Sequence, residues 1–182
     1  METSWAFLLP YFSLYCRAIL CLAFLFSFLG KARHIPTFSR TITTFDVLPT
    51  RYSRILAVLF LGAEGATVVL ILLGGGLSQL GLALGAGLLL IFSLAIASVL
   101  VRRVDTSCNC FGVSDEQISA HHIWRNTFLF ACSIVALTLS FTNHAAPATL
   151  NPADWLLISM SAIISLAVVT NLQQIIRIVQ PN

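Results

Sequence analysis

Charge is what this sequence has least of. Of its 182 residues only 9% are charged and 58% are apolar, whereas soluble domains carry roughly 25% charged residues. Ten Lys/Arg and seven Asp/Glu are too few to cover the outside of a soluble globule of this length. The solvent must be lipid. A net charge of +3 spread over such a chain is no phosphate-binding footprint, which excludes nucleic acid as a partner. Other absences narrow the field further. There is no internal repeat, low-complexity tract or linker, so residues 1–182 read as one transmembrane domain. There is no inverted repeat or broken helix, which removes the usual machinery of small-molecule transport. The five cysteines are an odd number, which argues against a closed disulfide framework. The chain opens Met1-Glu2 with no basic stretch, Arg17 interrupts the first apolar run, and no small-residue cleavage site precedes the charges after Leu29. The reading is a retained first span, not a cleaved signal.

Five apolar runs of spanning length remain, at about 11–29, 55–73, 78–101, 124–141 and 155–172. A bilayer-spanning helix takes about 20 residues, so the fold class is all-α, an integral membrane helical bundle. The fifth run is the shortest. Its start is nonetheless marked by Asn151 as an N-cap, Pro152 at the first helical position and Asp154 in the first turn. Nine of the ten basic residues fall in the loop from Gly30 to Arg54, after the third run, or at the C-terminus. With five spans these all lie on one side, and cytoplasmic loops accumulate Lys and Arg. That predicts an outside N-terminus and a cytoplasmic C-terminus. Phe38, Ile42 and Phe45 recur at helical spacing and suit either a short interfacial helix ended at Leu48-Pro49 or a loop with lipid-facing aromatics. Three small-residue stripes, Gly62-x-x-x-Ala66, Gly81-x-x-x-Gly85 and Ala83-x-x-x-Gly87, are expected to let helices of the same chain approach closely.

Arg17 and Glu64 lie inside predicted spans. Measured from the predicted helix ends at 1.5 Å per residue, they stand roughly 20 and 15 Å from the cytoplasmic face. An unpaired charge at mid-membrane costs at least about 2.5–3.5 kcal/mol, which favours a pair between adjacent helices. Two readings fit: a static ion pair that sets helix register, and a polar pocket for a quinone headgroup, a proton or a substrate.

Cys108 and Cys110 share the one sizeable polar loop with Phe111 and Gly112. A disulfide across a single intervening residue is a small, strained ring, and strained disulfides suit exchange. Gly112 lets the backbone turn tightly just after the pair. A metal reading competes, since His121 and His122 follow in the same loop, but the spacing matches none of the common zinc patterns. No metal site is expected. Cys16, Cys21 and Cys132 lie within helices, where cysteine commonly serves as a small apolar filler. Cys21 and Cys132 come out at similar depth and would meet if the first and fourth helices were neighbours. Cys16 adjoins Arg17, whose positive charge favours the nucleophilic form of a thiol.

Taken together, Cys16-Arg17, Ser27 and Lys31, then Leu48-Pro49, Glu64, Leu72-Leu73-Gly74, Cys108-x-Cys110-Phe111-Gly112 and Arg125-Asn126 resemble the MauE family. Those are methylamine-utilisation membrane proteins similar in helix plan to DoxX-like proteins. The resemblance covers about residues 11 to 141, and its most specific part is the Cys-x-Cys-Phe-Gly followed by Arg-Asn. It implies a DoxX-like four-helix core with a fifth C-terminal transmembrane helix, in the bacterial inner membrane. It adds Lys31 to Arg17 and Glu64 as pocket residues. It also implies a thioredoxin-like periplasmic partner and a part in forming disulfides of exported proteins, as in methylamine dehydrogenase biogenesis. The resulting expectation is a membrane thiol-disulfide redox protein or an accessory to one. Cys108 and Cys110 are the exchanging pair and Cys16 a relay thiol; no cofactor is required, and a quinone is compatible as electron partner. A periplasmic partner does not obviously meet a Cys-x-Cys loop that the charge bias puts in the cytoplasm. A transmembrane relay, a re-entrant loop or an inverted topology each resolve this. The alternative class is a non-catalytic subunit or assembly factor of a larger membrane complex.

Overall fold

The computed structural model describes residues 3–36, 38–39, 52–102, 120–142 and 151–179. They form five long helices: α1 (Thr3–Arg33), α2 (Ser53–Leu73), α3 (Gly75–Arg102), α4 (Ala120–Phe141) and α5 (Pro152–Val179). All five are long and apolar enough to cross a membrane, and no strand occurs among the described residues. Large side chains such as Leu59, Leu72, Leu94, Leu157 and Ile164 point outward. In water that surface would be an aggregation liability. Against lipid tails it is the expected exterior, and the chain is a multi-pass membrane protein.

Helices α1 to α4 close into a ring in which each packs on its sequence neighbour and α4 returns to α1; α5 lies outside, mainly against α1. This is the four-helix core plus fifth helix expected from the sequence. Side chains from every helix meet in one core: Ile19, Leu20 and Phe24 of α1, Val68 of α2, Leu82 and Leu89 of α3, Leu129 of α4 and Ala162 of α5. Hydroxyls fasten the seams. Ser133 of α4 donates to the Leu82 carbonyl of α3 at 2.7 Å, and Tyr15 of α1 donates to Ser165 Oγ of α5 at 2.8 Å.

The turn between α2 and α3 is made by Gly74 and Gly75 at φ +73° and +56°. Side chains rarely adopt those angles, and glycine does so freely. The small-residue stripes divide. Gly81 faces α2 so closely that a Cβ there would stand 2.9 Å from the Leu70 Cβ and 3.0 Å from the Ile71 nitrogen. Gly85 likewise presses on Thr67 and Phe24. Gly62 and Gly87 have nothing within 4 Å of such a Cβ, and they lie exposed with Ala66 and Ala83. Intramolecular packing therefore accounts for one of the three stripes, because helix rotation turns the other two outward.

The helices outrun the predicted spans at several ends. The first extends furthest beyond its expectation, 31 residues from Thr3 to Arg33, and the fifth runs 28 residues from Pro152. Its start is built as read: the Asn151 backbone N–H donates to the Asp154 carboxylate at 3.1 Å, an N-terminal cap of the expected kind. The first helix continues past the expected end at Leu29 to Arg33, and residues 35–36 and 38–39 are again helical. Phe38 is buried at 4% exposure; it faces protein, not lipid. Ile42 and Phe45 lie outside the described residues.

Candidate functional site

One face of α1 carries Ser13, Cys16, Leu20, Phe24, Ser27 and Lys31, every one buried. Steps of three and four residues place all six on the side turned to the other helices. That single stripe supplies both regions in which chemistry-bearing side chains gather.

The first region is a polar pocket. Lys31 and Glu64 form a salt bridge with both side chains 1% exposed. Ser27 Oγ donates to the same carboxylate oxygen, Glu64 Oε1, at 3.1 Å. The Lys31 ammonium also lies 4.3 Å from the ring centre of Phe92 and 4.9 Å from that of Phe38. Both are within the range at which an aromatic face attracts a cation. Arg125 and Asn126 enter from α4, both buried, with Arg125 Nη2 donating to Asn126 Oδ1 at 3.4 Å. A cavity of about 30 Å³ lies between Ser27, Lys31, Glu64, Phe92, Arg125 and Asn126, enough for about one water. Glu64 Oε2 is buried and accepts no hydrogen bond among the described residues. The pocket can accept a proton or one hydrogen-bond donor at that oxygen.

Four sequence-predicted residues, Lys31, Glu64, Arg125 and Asn126, are thus brought together. Arg17 is not. The expected Arg17–Glu64 pair does not form; Arg17 Nη2 instead donates to Ser140 Oγ of α4 at 2.7 Å. The reason is depth. The helical path continues below Leu29, and Ser39 and Ser53 hydroxyls meet at 3.3 Å, so α2 starts lower against α1 than span counting allowed. Glu64 then stands level with Lys31, not with Arg17. Ser27 and Phe92 complete the pocket; Ser27 is among the residues that carry the family resemblance, whereas nothing in the pattern of α3 singled out Phe92.

The second region is a thiol seam between α1 and α4. Cys16, Cys21 and Cys132 are free thiols. Cys16 and Cys132 are buried in the shared core, one on each of these two packed helices. The sequence reading lets Cys21 and Cys132 meet if the first and fourth helices are neighbours, with apolar filler the commoner role. The two helices are neighbours, and Cys21, half-buried, projects about 140° around α1 from the core-facing Cys16. Arg17 reaches α4 on the same seam, about two turns beyond Cys132 at Ser140.

Cys108, Cys110, Phe111 and Gly112, the sequence-predicted exchanging pair and its motif, lie outside the described residues, as does the His121 side chain. The helix ends that hold their segment, α3 at Arg102 and α4 at Ala120, are described. Arg125 and Asn126 follow within the first two turns of α4. The segment is therefore tethered at the end of α4 that enters the polar pocket. His122 is buried near the same helix start.

Comparison with known proteins draws these regions into one frame. The family model described as methylamine utilisation protein MauE matches residues 9–139. That range takes in the pocket, both seam cysteines and the Cys-x-Cys segment, and omits α5. The methylamine utilization protein MauE of Paracoccus denitrificans is 33% identical over 129 residues, which cover 67% of this chain and 66% of that protein. The chain thus spans just under two thirds of the length of that relative. No solved structure matches the chain.

Proposed function

The chain belongs to the MauE family, and from that premise we propose that it is a membrane thiol-disulfide redox protein serving methylamine utilisation. Cys108 and Cys110 are the exchanging pair, and Cys16 is a relay thiol within the bundle that links them across the bilayer to a thioredoxin-like periplasmic partner during maturation of exported proteins. The supporting observation is the thiol seam: a chain that carries a Cys-x-Cys segment also keeps free thiols in its membrane core, Cys16 and Cys132 among them. Exchange needs only a thiolate and a disulfide, with no metal or bound cofactor. The basic-residue bias supports an inner-membrane placement with the N-terminus outside and the C-terminus in the cytoplasm.

The test is to trap thiols by alkylation in intact membranes. The redox state of Cys108 and Cys110 should follow that of the thioredoxin-like partner, and Cys108→Ser or Cys110→Ser should abolish disulfide formation in the exported substrate. Loop cysteines that stay reduced throughout and tolerate serine would sink the proposal. An impermeant maleimide should label Cys108 and Cys110 from the cytoplasmic side; labelling from outside would invert the topology.

A second reading is favoured by the pocket. Lys31 and Glu64 satisfy each other inside the protein, as a register-setting pair in a non-catalytic assembly factor would. It predicts stable co-purification with a larger membrane complex and full function after replacement of every cysteine.

A further inference from the structure

We propose that the cavity between the stretch that follows α1 and the start of α2 seats one anionic phospholipid, its phosphodiester held by Arg54 and Ser39 and its glycerol and acyl stems by Ile35 and Pro36. The seat is separate from the thiol chemistry and from the polar pocket.

Location comes first. The first span ends at Arg33 and the second begins at Ser53, so all four wall residues stand close to a span end. Counted at 1.5 Å per helical residue, Ile35 to Ser39 lie about 3–9 Å past Arg33, and headgroups occupy roughly the outer 5–7 Å of each leaflet. The Ser39 and Ser53 hydroxyls meet at 3.3 Å, which fastens the two walls to each other. Between them lies a cavity of about 490 Å³, within the roughly 300–1,000 Å³ of small-molecule sites. It adjoins the polar pocket through Phe38, which precedes Ser39 and faces the Lys31 ammonium at 4.9 Å.

Chemistry then selects the occupant. Of the wall residues only Arg54 is charged, and Arg33 and His34 lie exposed just before Ile35. The described carboxylates are elsewhere: Glu64 is sealed against Lys31, and Asp154 caps α5 at the opposite end of the bundle. The sequence from Gly30 to Arg54 carries five Lys/Arg against one Asp. An arginine fork matches the paired oxygens of a phosphodiester, and a serine hydroxyl offers a further donor. A zwitterionic headgroup brings its own cation to a wall with no described carboxylate, so a net negative headgroup is the better match. Ile35 and Pro36 give the cavity an apolar side, which a glycerol backbone and acyl chain fill and a free phosphate does not. Size points the same way, since the space equals about sixteen waters at about 30 Å³ each, far more than one inorganic ion fills. The basic-residue bias favours the cytoplasmic leaflet for this end, and anionic lipids there draw basic groups to the surface.

Native mass spectrometry of the full-length protein, released from detergent after titration with dioleoylphosphatidylglycerol, counts the bound lipid directly. The expected result is one phosphatidylglycerol per chain that binds ahead of further adducts. Binding should weaken about fivefold in Arg54→Gln, the share of one basic side chain at an anionic surface, and return in Arg54→Lys, which also shows that the loss is not misfolding. Ile35→Trp fills the cavity and keeps every charge, so it should displace the lipid too at unchanged helical content. Arg102→Gln removes an exposed cation at the same end of the bundle and should leave binding as it was. The lipid should also raise the SDS unfolding midpoint of the wild type more than that of Arg54→Gln. Equal binding of dioleoylphosphatidylcholine would overturn the inference, as would equal losses in Arg54→Gln and Arg102→Gln, because either result means diffuse attraction without a seat. Displacement of the lipid by millimolar inorganic phosphate would assign the cavity to a free anion and overturn the lipid as its occupant.

Discussion

The polar pocket and the thiol seam lie on one stripe of α1, yet they settle their polarity in opposite ways. In the pocket a full positive charge meets a full negative one, a serine hydroxyl and two aromatic faces, all away from solvent. On the seam the guanidinium of Arg17 has a hydroxyl for a described partner, and the adjacent groups are two thiols. The pocket pairs Lys31 with Glu64 beside a second buried cation, Arg125, so disturbing it exposes a charge. The seam holds buried neutral thiols whose removal exposes no charge. This division assigns stability to the first and chemistry to the second, and it can be broken by experiment.

The largest effect is expected at Glu64. Glu64→Ala leaves Lys31 charged and buried without its carboxylate, and breaking a buried ion pair in this way costs about 3–5 kcal/mol. The check is the midpoint of SDS-induced unfolding in bicelles. The double variant Lys31→Met/Glu64→Leu removes both charges, so it should recover most of the loss, since apolar replacements of buried pairs are often neutral or better. A double variant as unstable as the single one would mean that the pair does more than balance itself, and the pocket would then move to the chemical side of the comparison.

Next comes the seam. Cys16→Ala or Cys132→Ala deletes one sulfur from the core and should lower stability by about 1 kcal/mol, the scale of losing one methylene-sized group. If instead either variant costs as much as Glu64→Ala, the thiols are structural filler and the comparison collapses.

Much of this architecture was legible beforehand. The five spans follow from apolar runs near 20 residues, and the N-terminal cap of α5 was written in Asn151-Pro152 and Asp154. The pocket residues Lys31, Glu64, Arg125 and Asn126 were all singled out. What stayed hidden was pairing, because pairing depends on where helices end and which face they turn. Arg17 was matched to Glu64 by counting depth from Leu29, and four more residues of helix to Arg33 removed that match. The same depth counting put Cys21 and Cys132 level. The three- and four-residue steps from Ser13 to Lys31 already put Cys16, not Cys21, on the core face. Facing is likewise what separated Gly81, pressed on Leu70 and Ile71, from Gly62 and Gly87.

Arg17 sharpens the comparison further, because two opposing magnitudes nearly cancel there. Its hydrogen bond to Ser140 is charge-assisted and worth about 1.5–3 kcal/mol, while placing the cation inside the membrane costs at least about 2.5–3.5 kcal/mol. Arg17→Leu should therefore leave the unfolding midpoint within about 1 kcal/mol of wild type, on the stable side. A loss near that of Glu64→Ala would show that Arg17, like Lys31, has a balancing anion, and the two regions would no longer differ in kind.

The smallest effect tests the outer cover of the seam. Tyr15, next to Cys16 in the chain, ties α1 to α5 through Ser165, and Ala162 and Leu166 of α5 belong to the same core as the seam cysteines. Side-chain hydrogen bonds between membrane helices average about 0.6 kcal/mol, so Tyr15→Phe should lower stability by no more than about that amount. Its ring still fills the gap. The informative readout is the rate at which a membrane-permeant maleimide reaches Cys132 under native conditions. An unchanged rate means that α5 is held over α1 by apolar packing and that the reagent's path to Cys132 lies elsewhere on α4. A rate that rises while the unfolding midpoint stays put would mean that one hydroxyl gates the thiols, making α5, which lies beyond the matched 9–139 segment, the element that controls access to them.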